Sequence, residues 1–324
     1  MLDMVLLTGN SNSKLAESIA SHLNTKLVPC TVGRFADGEI RLDIEESLRG
    51  KHVFVIQSVC NSSLPDGKPT SVNDNLMELL VLLDAVKRDN AEKISAVMPY
   101  LAYTRQDRKV KPREPITAKL VLNLIAGPHS GVHDLLSVDL HAPQIEGFVD
   151  CYFGNITVSQ LVPSQLKKIG FDKDVIVVSP DSGGANRAKR LADRLSGDMA
   201  IVHKYRSKPN SFENASVLHV VGDVEGKNAL LYDDMVDTGG SLVHAAEALL
   251  DRGAKKVAAF ATHAVLSGDA IEKIEDSPLE KMLVTDTIPL KKQSRKIDVV
   301  SVAPTIATVM DKVYKGESVS ALFK

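Results

Sequence analysis

Two adjacent acids followed by a glycine turn form the stretch of this sequence best suited to chemistry. In GKNALLYDDMVDTGGSLVHAAEALL, residues 226–250, an apolar run ends in Asp233 and Asp234, and a turn through Asp237, Thr238, Gly239, Gly240 and Ser241 opens a helical pattern. Parallel α/β sheets bind ligands beyond the carboxyl ends of their strands, which is where these acids fall. Thr238 to Ser241 offer unencumbered N–H groups, two hydroxyls and the positive end of a helix dipole, a set suited to a phosphate monoester. Carboxylates repel a phosphate but accept hydrogen bonds from sugar hydroxyls, so the combination points to a phosphorylated sugar. Read in isolation, the same residues also describe an Asx turn at Asp237, a helix cap at Ser241 and two solvated acids. A G-x-x-x-x-G-K-[ST] loop is absent, so nucleotide phosphates would be held differently from those of a P-loop enzyme.

Four further segments carry candidate groups. Arg105, Gln106, Asp107, Arg108 and Lys109 follow the strand-like ISAVMPYLAY and place three cations together, a natural partner for a polyphosphate if they are more than a solvated loop. HKYRSKPNS at 203–211 is a basic, proline-containing segment, either a plain surface loop or one that closes over phosphates and excludes water. FADGEIRLDIEE at 35–46 reads as an Asp-Gly turn entering a strand. His141 follows Asp139 at the end of LLSVDL, where an imidazole could meet a metal or a triphosphate, although a lone histidine usually does neither.

These groups need a scaffold that brings strand ends together. Short apolar runs at 4–9, 53–58, 94–100, 135–140, 175–180, 228–234 and 257–265 read as buried strands, and 13–23, 74–88, 116–127 and 241–253 have helical period. Their alternation implies parallel sheets with helices on both faces. A chain of 324 residues exceeds what one core usually serves, and a composition shift over 148–157 sets the expected domain boundary near residue 150. NSSLPDGKPT at 61–70 is expected as an exposed loop.

Composition narrows the partners. With 44% apolar and 25% charged residues the chain is expected to fold, and its net charge of -2 supplies no basic field for nucleic acid or an anionic membrane. Cys30, Cys60 and Cys151 show no C-x-x-C spacing, which argues against a disulfide framework or zinc knuckle and fits a reducing compartment. The N-terminus lacks the pattern of a signal peptide and no run approaches a membrane span, so a soluble, cytoplasmic protein is expected.

Over nearly its whole length the sequence resembles the ribose-phosphate pyrophosphokinases. The likeness rests on the joint order of FADGE (35–39), NDNLMELL (73–80), RQDRK (105–109), REPITAKL (113–120), DLHAPQIEGF (139–148), SPDSGGANRA (179–188), HKYRSKPN (203–210), DDMVDTGGS (233–241) and GESVSALF (316–323). It implies an α/β protein of two tandem type I phosphoribosyltransferase-like domains: 1–150 with the ATP-side residues, 151–304 with the ribose 5-phosphate loop, and a 305–324 tail docking back on the first domain. It also implies transfer of pyrophosphate from Mg-ATP to the C1 hydroxyl of ribose 5-phosphate, with magnesium linked to His141 and Asp181. Phe35, Asp37 and Glu39 would reach the adenine of ATP held by a neighbouring subunit, and Arg105, Gln106, Asp107 and His141 would contact ATP. Lys204 and Arg206 would stabilise the transition state. The family branch implies hexamers built from dimers.

Ser47, Arg49 and Ser301 match residues that bind an allosteric phosphate in members under such control, whereas Glu146 replaces the family's usual glutamine and sets a carboxylate beside a phosphate. Two other readings share these motifs. A phosphoribosyltransferase uses the same D-D-x-x-D-T-G-G-S cradle, but FADGE and RQDRK argue against it. A catalytically silent regulatory paralogue should have lost the Lys204 loop, Asp181 or His141, and all three are intact. No general base stands out.

Overall fold

The computed structural model describes residues 2–205 and 217–322. The chain divides into two compact units: Met1–Thr157 with Thr287–Pro289 and Ser301–Lys324, and Val158–Asp286 with Leu290–Val300. The division at Thr157 lies past the expected 150, after the last strand of the first sheet, and the C-terminal segment groups with the first unit from Ser301 onward.

The first unit runs β1 (Met4–Thr8), α1 (Ser13–His22), β2 (Cys30–Arg34), β3 (Ile40–Ile44), β4 (His52–Ile56), β5 (Ser62–Ser63), β6 (Pro69–Thr70), α2 (Val72–Arg88), β7 (Lys93–Met98), α3 (Thr117–Ala126), β8 (Asp134–Val138) and β9 (Tyr152–Ile156). Five strands make a parallel sheet in the order β1-β4-β7-β8-β9. β4, HVFVI, is buried at every position, which is why no polar alternation marks it. β2 and β3 form a separate antiparallel hairpin. The 61–70 segment is not a plain loop. Its ends pair as β5 and β6, Gly67 takes the turn at φ +85°, and Leu64 N–H donates to Lys68 O at 2.8 Å. The buried Asn75 amide fastens the hairpin to α2, 2.6 Å from Cys60 O and 3.0 and 3.1 Å from Ser62 Oγ and Thr70 Oγ1. Ser71 and Asp74 form a capping box that starts α2 at its base.

The second unit contains α4 (Val162–Lys168), β10 (Val175–Ser179), α5 (Ala185–Leu195), β11 (Asp198–Tyr205), β12 (Val217–Val221), β13 (Asn228–Val236), α6 (Gly240–Asp251), β14 (Lys256–Ala264), α7 (Ala270–Asp276), β15 (Met282–Thr285) and β16 (Ile297–Val300). These strands form one sheet in the order β12-β11-β10-β13-β14-β15-β16, antiparallel only between β11 and β12. Val178, Leu231, Ala246, Leu249, Ala259 and Ile274 belong to its continuous apolar core. The chain then returns to the first unit as α8 (Ala303–Lys315), which packs on α1, and the Tyr314 hydroxyl donates to Leu2 O at 2.6 Å. No helix among the described residues is long and apolar enough to cross a membrane.

At the amino ends of β4, β7 and β8 a buried polar chain crosses the first sheet. Ser95 Oγ donates its one hydrogen to Asp134 Oδ2 at 2.7 Å, so His52 Nε2, 2.8 Å from Ser95 Oγ, is the donor in that pair. Lys93 Nζ lies 2.8 Å from the same Asp134 oxygen. Burial, then the Lys93 charge, push the His52 imidazole down to about 4, against the pull of Asp134. The unfolded chain therefore binds a proton near pH 6.5 that the folded chain refuses until about 4, and stability falls as pH drops across that interval. Chemical denaturation from pH 7 to pH 4 should show this acid limb, and His52→Gln should flatten it; an unchanged limb would contradict the assignment.

Candidate functional site

In the second unit the acids and the glycine turn meet where β13 outruns its neighbour. Pairing between β10 and β13 reaches Val178 and Leu231, and β10 ends at Ser179 because Pro180 has no N–H to continue a ladder. Beyond that point β13 carries Asp233 and Asp234 with one flank uncovered by β10. Arg187, in the first turns of α5, fills the flank: Nη1 donates to Asp233 Oδ1 at 2.7 Å and to Asp234 Oδ1 at 2.8 Å. Asp234 is buried, while Asp233 keeps a quarter of its side chain exposed (25%) and accepts the Asp234 N–H at 2.8 Å. Burial and the adjacent Asp234 carboxylate push Asp233 upward, and Arg187 opposes the shift.

The turn that follows is held from behind and open in front. Leu266 and Ser267 N–H groups donate to Val236 O and Asp237 O at 3.1 and 3.0 Å, fixing the exit of β13. Gly239 sits at φ +75°, a conformation that disfavours a side chain, and a Cβ there would stand 3.4 Å from Ala270 O. A Cβ on Gly240 would meet nothing within 4 Å, and Thr238 and Ser241 are exposed. α6 starts at Gly240, so its first free N–H groups point toward this open turn.

Asp181 lies on the adjoining β10 to α5 turn. Its Oδ1 accepts the Gly184 N–H at 2.9 Å, and its carbonyl accepts Ser179 Oγ at 2.6 Å. A Cβ on Gly184 would come within 2.7 Å of Ser179 Oγ, so the turn closes only with glycine there. The structure thus brings Asp181, Asp233, Asp234 and the 237–241 turn to the carboxyl edge of two paired strands. Lys204 belongs to β11, the strand beside β10, next to its carboxyl end at Tyr205. Its side chain and the whole of Arg206 lie outside the described residues.

In the first unit the nucleotide-side candidates fall into two groups. Arg105, Gln106 and Asp107 follow β7, and His141 follows the adjacent β8. Gln144 Nε2 donates to Asp107 Oδ2 at 2.5 Å, and Thr117 Oγ1 donates to Gln106 Oε1 at 3.0 Å, which ties the loop to the segment after His141 and to α3. Arg105, Gln106 and His141 are exposed. Phe35, Asp37 and Glu39 occupy the β2–β3 turn: Gly38 N–H donates to Phe35 O, Glu39 N–H to Asp37 Oδ1 at 3.1 Å, and Phe35 is 53% exposed.

The matches to an allosteric anion site are locally engaged. Ser47 Oγ donates to Asp89 Oδ2 at 3.4 Å and the Leu48 N–H donates to the same oxygen, so a carboxylate already uses that turn's donors, while Arg49 is exposed. Ser301 Oγ accepts the Ala303 N–H at 3.3 Å at the start of α8. Glu146 accepts Asn155 Nδ2 at 3.1 Å. Sequence reasoning gave Arg187 no role, although it stands in SPDSGGANRA; only the fold reveals that this stretch delivers a cation to acids 46 residues away. Gln144 was missed for the same reason.

A parallel α/β sheet that ends in paired acids and an open glycine turn defines a protein that handles phosphorylated sugars. Residues 4–127 match the N-terminal domain of ribose phosphate pyrophosphokinase, and residues 209–324 match the phosphoribosyl synthetase-associated domain. The ribose-phosphate pyrophosphokinase of Caldanaerobacter subterraneus is 50% identical over 98% of this chain and 97% of its own, and that of Aquifex aeolicus 46% identical over 98% of each. The crystal structure of phosphoribosylpyrophosphate synthetase from Mycobacterium smegmatis superposes with a TM-score of 0.87 at 36% identity, covering 97% of this chain and 99% of that one. The chain belongs to the ribose-phosphate pyrophosphokinase family.

Arg187→Ala leaves two neighbouring buried or half-buried carboxylates without their cation. Urea denaturation should record a loss of about 3 kcal/mol, and wild-type stability in the variant would refute the bridge as drawn.

Proposed function

We propose that this protein transfers the pyrophosphoryl group of Mg-ATP to the C1 hydroxyl of ribose 5-phosphate, giving 5-phosphoribosyl 1-pyrophosphate and AMP. The observation that carries the reading is the Asp233–Asp234–Arg187 cluster leading directly into the open 238–241 turn. The N–H groups and hydroxyls of Thr238 to Ser241 receive the 5-phosphate. Asp233 and Asp234 accept hydrogen bonds from the ribose hydroxyls, and Asp237 belongs to the same ribose 5-phosphate site. In the first unit Arg105, Gln106, Asp107 and His141 take the nucleotide, and the exposed Phe35 with Asp37 and Glu39 receives the adenine of a neighbouring subunit's ATP in a hexamer built from dimers.

Attack by the C1 oxygen on the β-phosphorus asks for alignment and charge neutralisation more than for covalent help. Lys204 and Arg206 neutralise charge on the transferring group. Among the described residues no three acids or histidines gather around a common point. Magnesium binds by one or two carboxylates plus substrate phosphates; in this reading Asp181 would be the carboxylate of the second unit linked to it, and His141 the magnesium-linked residue on the nucleotide side of the first. When bound, the ion neutralises phosphate charge and polarises the phosphoryl oxygens. The protein's working compartment is the cytoplasm, where thiols are kept reduced.

AMP release should require ATP, magnesium and ribose 5-phosphate together. Lys204→Ala should lose turnover by a factor on the order of 100 or more, while ribose 5-phosphate still raises its melting temperature. Near-normal turnover in the variant removes Lys204 from the mechanism. A wild-type protein that forms no AMP under any metal or phosphate condition is instead a regulatory paralogue.

A further inference from the structure

A fully buried carboxylate in the first unit takes no part in the chemistry proposed above. Glu78, on α2, has no exposed surface. Its Oε1 accepts the Asn10 N–H at 2.6 Å and Gln57 Nε2 at 3.0 Å, and its Oε2 accepts Asn10 Nδ2 at 3.2 Å. Arg34 Nη1 stands 3.6 Å from Oε2, and neither Arg34 Nη atom has a hydrogen-bond acceptor. Glu78 is therefore ion-paired with a mostly buried guanidinium, which also acts on Asp74, and glutamine would fill the same space without the charge. The packing around it is close: a Cβ on Gly9 would come within 2.5 Å of both Gln57 Oε1 and Glu78 Oε1.

What Glu78 and Asn10 hold is strand β2. Asn10 Nδ2 also donates to Val32 O at 3.0 Å, and Arg34, the last residue of β2, precedes Phe35. Among the described residues the β2–β3 hairpin is a sheet of two strands with no ladder to the main sheet, and the chain just before it meets β1 at a single bridge, Val28 N–H donating to Leu6 O at 2.9 Å. A hairpin of that size is marginal in water without an anchor. Polar anchoring at Val32 and Arg34 on one strand complements the packing of β3 on α2 on the other.

We infer that Glu78, together with Asn10, is a positioning residue that sets where the hairpin presents Phe35, Asp37 and Glu39. This assignment rests on the proposal that those residues receive ATP. It acts on nucleotide recognition and leaves the ribose 5-phosphate cluster of the second unit alone.

Steady-state kinetics of Glu78→Gln and Asn10→Ala, with each substrate varied at saturating levels of the other, separates the roles. Glu78→Gln should raise the KM for ATP by about tenfold or more, with kcat at saturating ATP and the KM for ribose 5-phosphate unchanged. Asn10→Ala should move the ATP value in the same direction by a smaller factor, and it decides the matter if the Glu78→Gln protein fails to fold. Hydrogen exchange gives a readout independent of turnover: residues 30–44 should exchange faster in either variant while the parallel sheet of the first unit does not. Equal ATP values in wild type and both variants, KM values rising together for both substrates, or unchanged exchange over 30–44 would overturn the assignment. A wild-type chain without sugar-dependent AMP would count against the proposed reaction, and the exchange result would then judge Glu78 by itself.

Discussion

Two carboxylates on consecutive residues at the end of a buried strand are unstable neighbours, and the end of β10, the turn after it and α5 meet around the cation that relieves that conflict. Arg187 can reach both only because β10 stops at Ser179 and leaves the flank of β13 uncovered. The stop comes from Pro180, and the tight turn after it needs Gly184 to let Ser179 Oγ approach the Asp181 carbonyl. The pairing that makes the acids tolerable thus also places Asp181 beside them and orients α5. Relief is partial: burial and the Asp234 carboxylate still push Asp233 upward against the pull of Arg187.

The proposed phosphate end of the ligand falls at the same edge of the sheet. β13 runs into α6 through a turn whose back is hydrogen-bonded to Leu266 and Ser267 and whose front meets no protein atom at Gly240. The paired acids and the open N–H groups of the turn lie within a few residues of one another, on elements that a parallel sheet holds. The first unit repeats the strand-end arrangement with a different inventory. There the loop after β7 is tied to the segment after β8 through Asp107 and Gln144, and a separate hairpin carries the aromatic and acidic tip.

Much of this was legible from residue order. The runs at 4–9, 53–58, 94–100, 135–140, 175–180, 228–234 and 257–265 each contain or overlap a strand, because buried parallel strands are continuously apolar. β15 and β16 are not legible because strands of four residues leave too short a pattern, and α8 lies ahead of the last apolar residues that mark the tail. The 61–70 segment has the composition of a loop, and its hairpin depends on Asn75, a residue outside it. The acids and the glycine turn were visible because they are contiguous. Arg187, Gln144 and Glu78 were not, since each acts through partners far away in sequence, and no local spacing encodes such a meeting.

In the proposed reaction the Asp233–Asp234 pair and the 238–241 turn hold one sugar phosphate. Calorimetric titration of ribose 5-phosphate into the wild-type protein and into a folded Asp233→Asn/Asp234→Asn variant tests it most directly. Saturable binding to the wild type with none to the variant at the same concentrations is the predicted result. Equal affinity in the two proteins would place the sugar elsewhere and contradict the site as built.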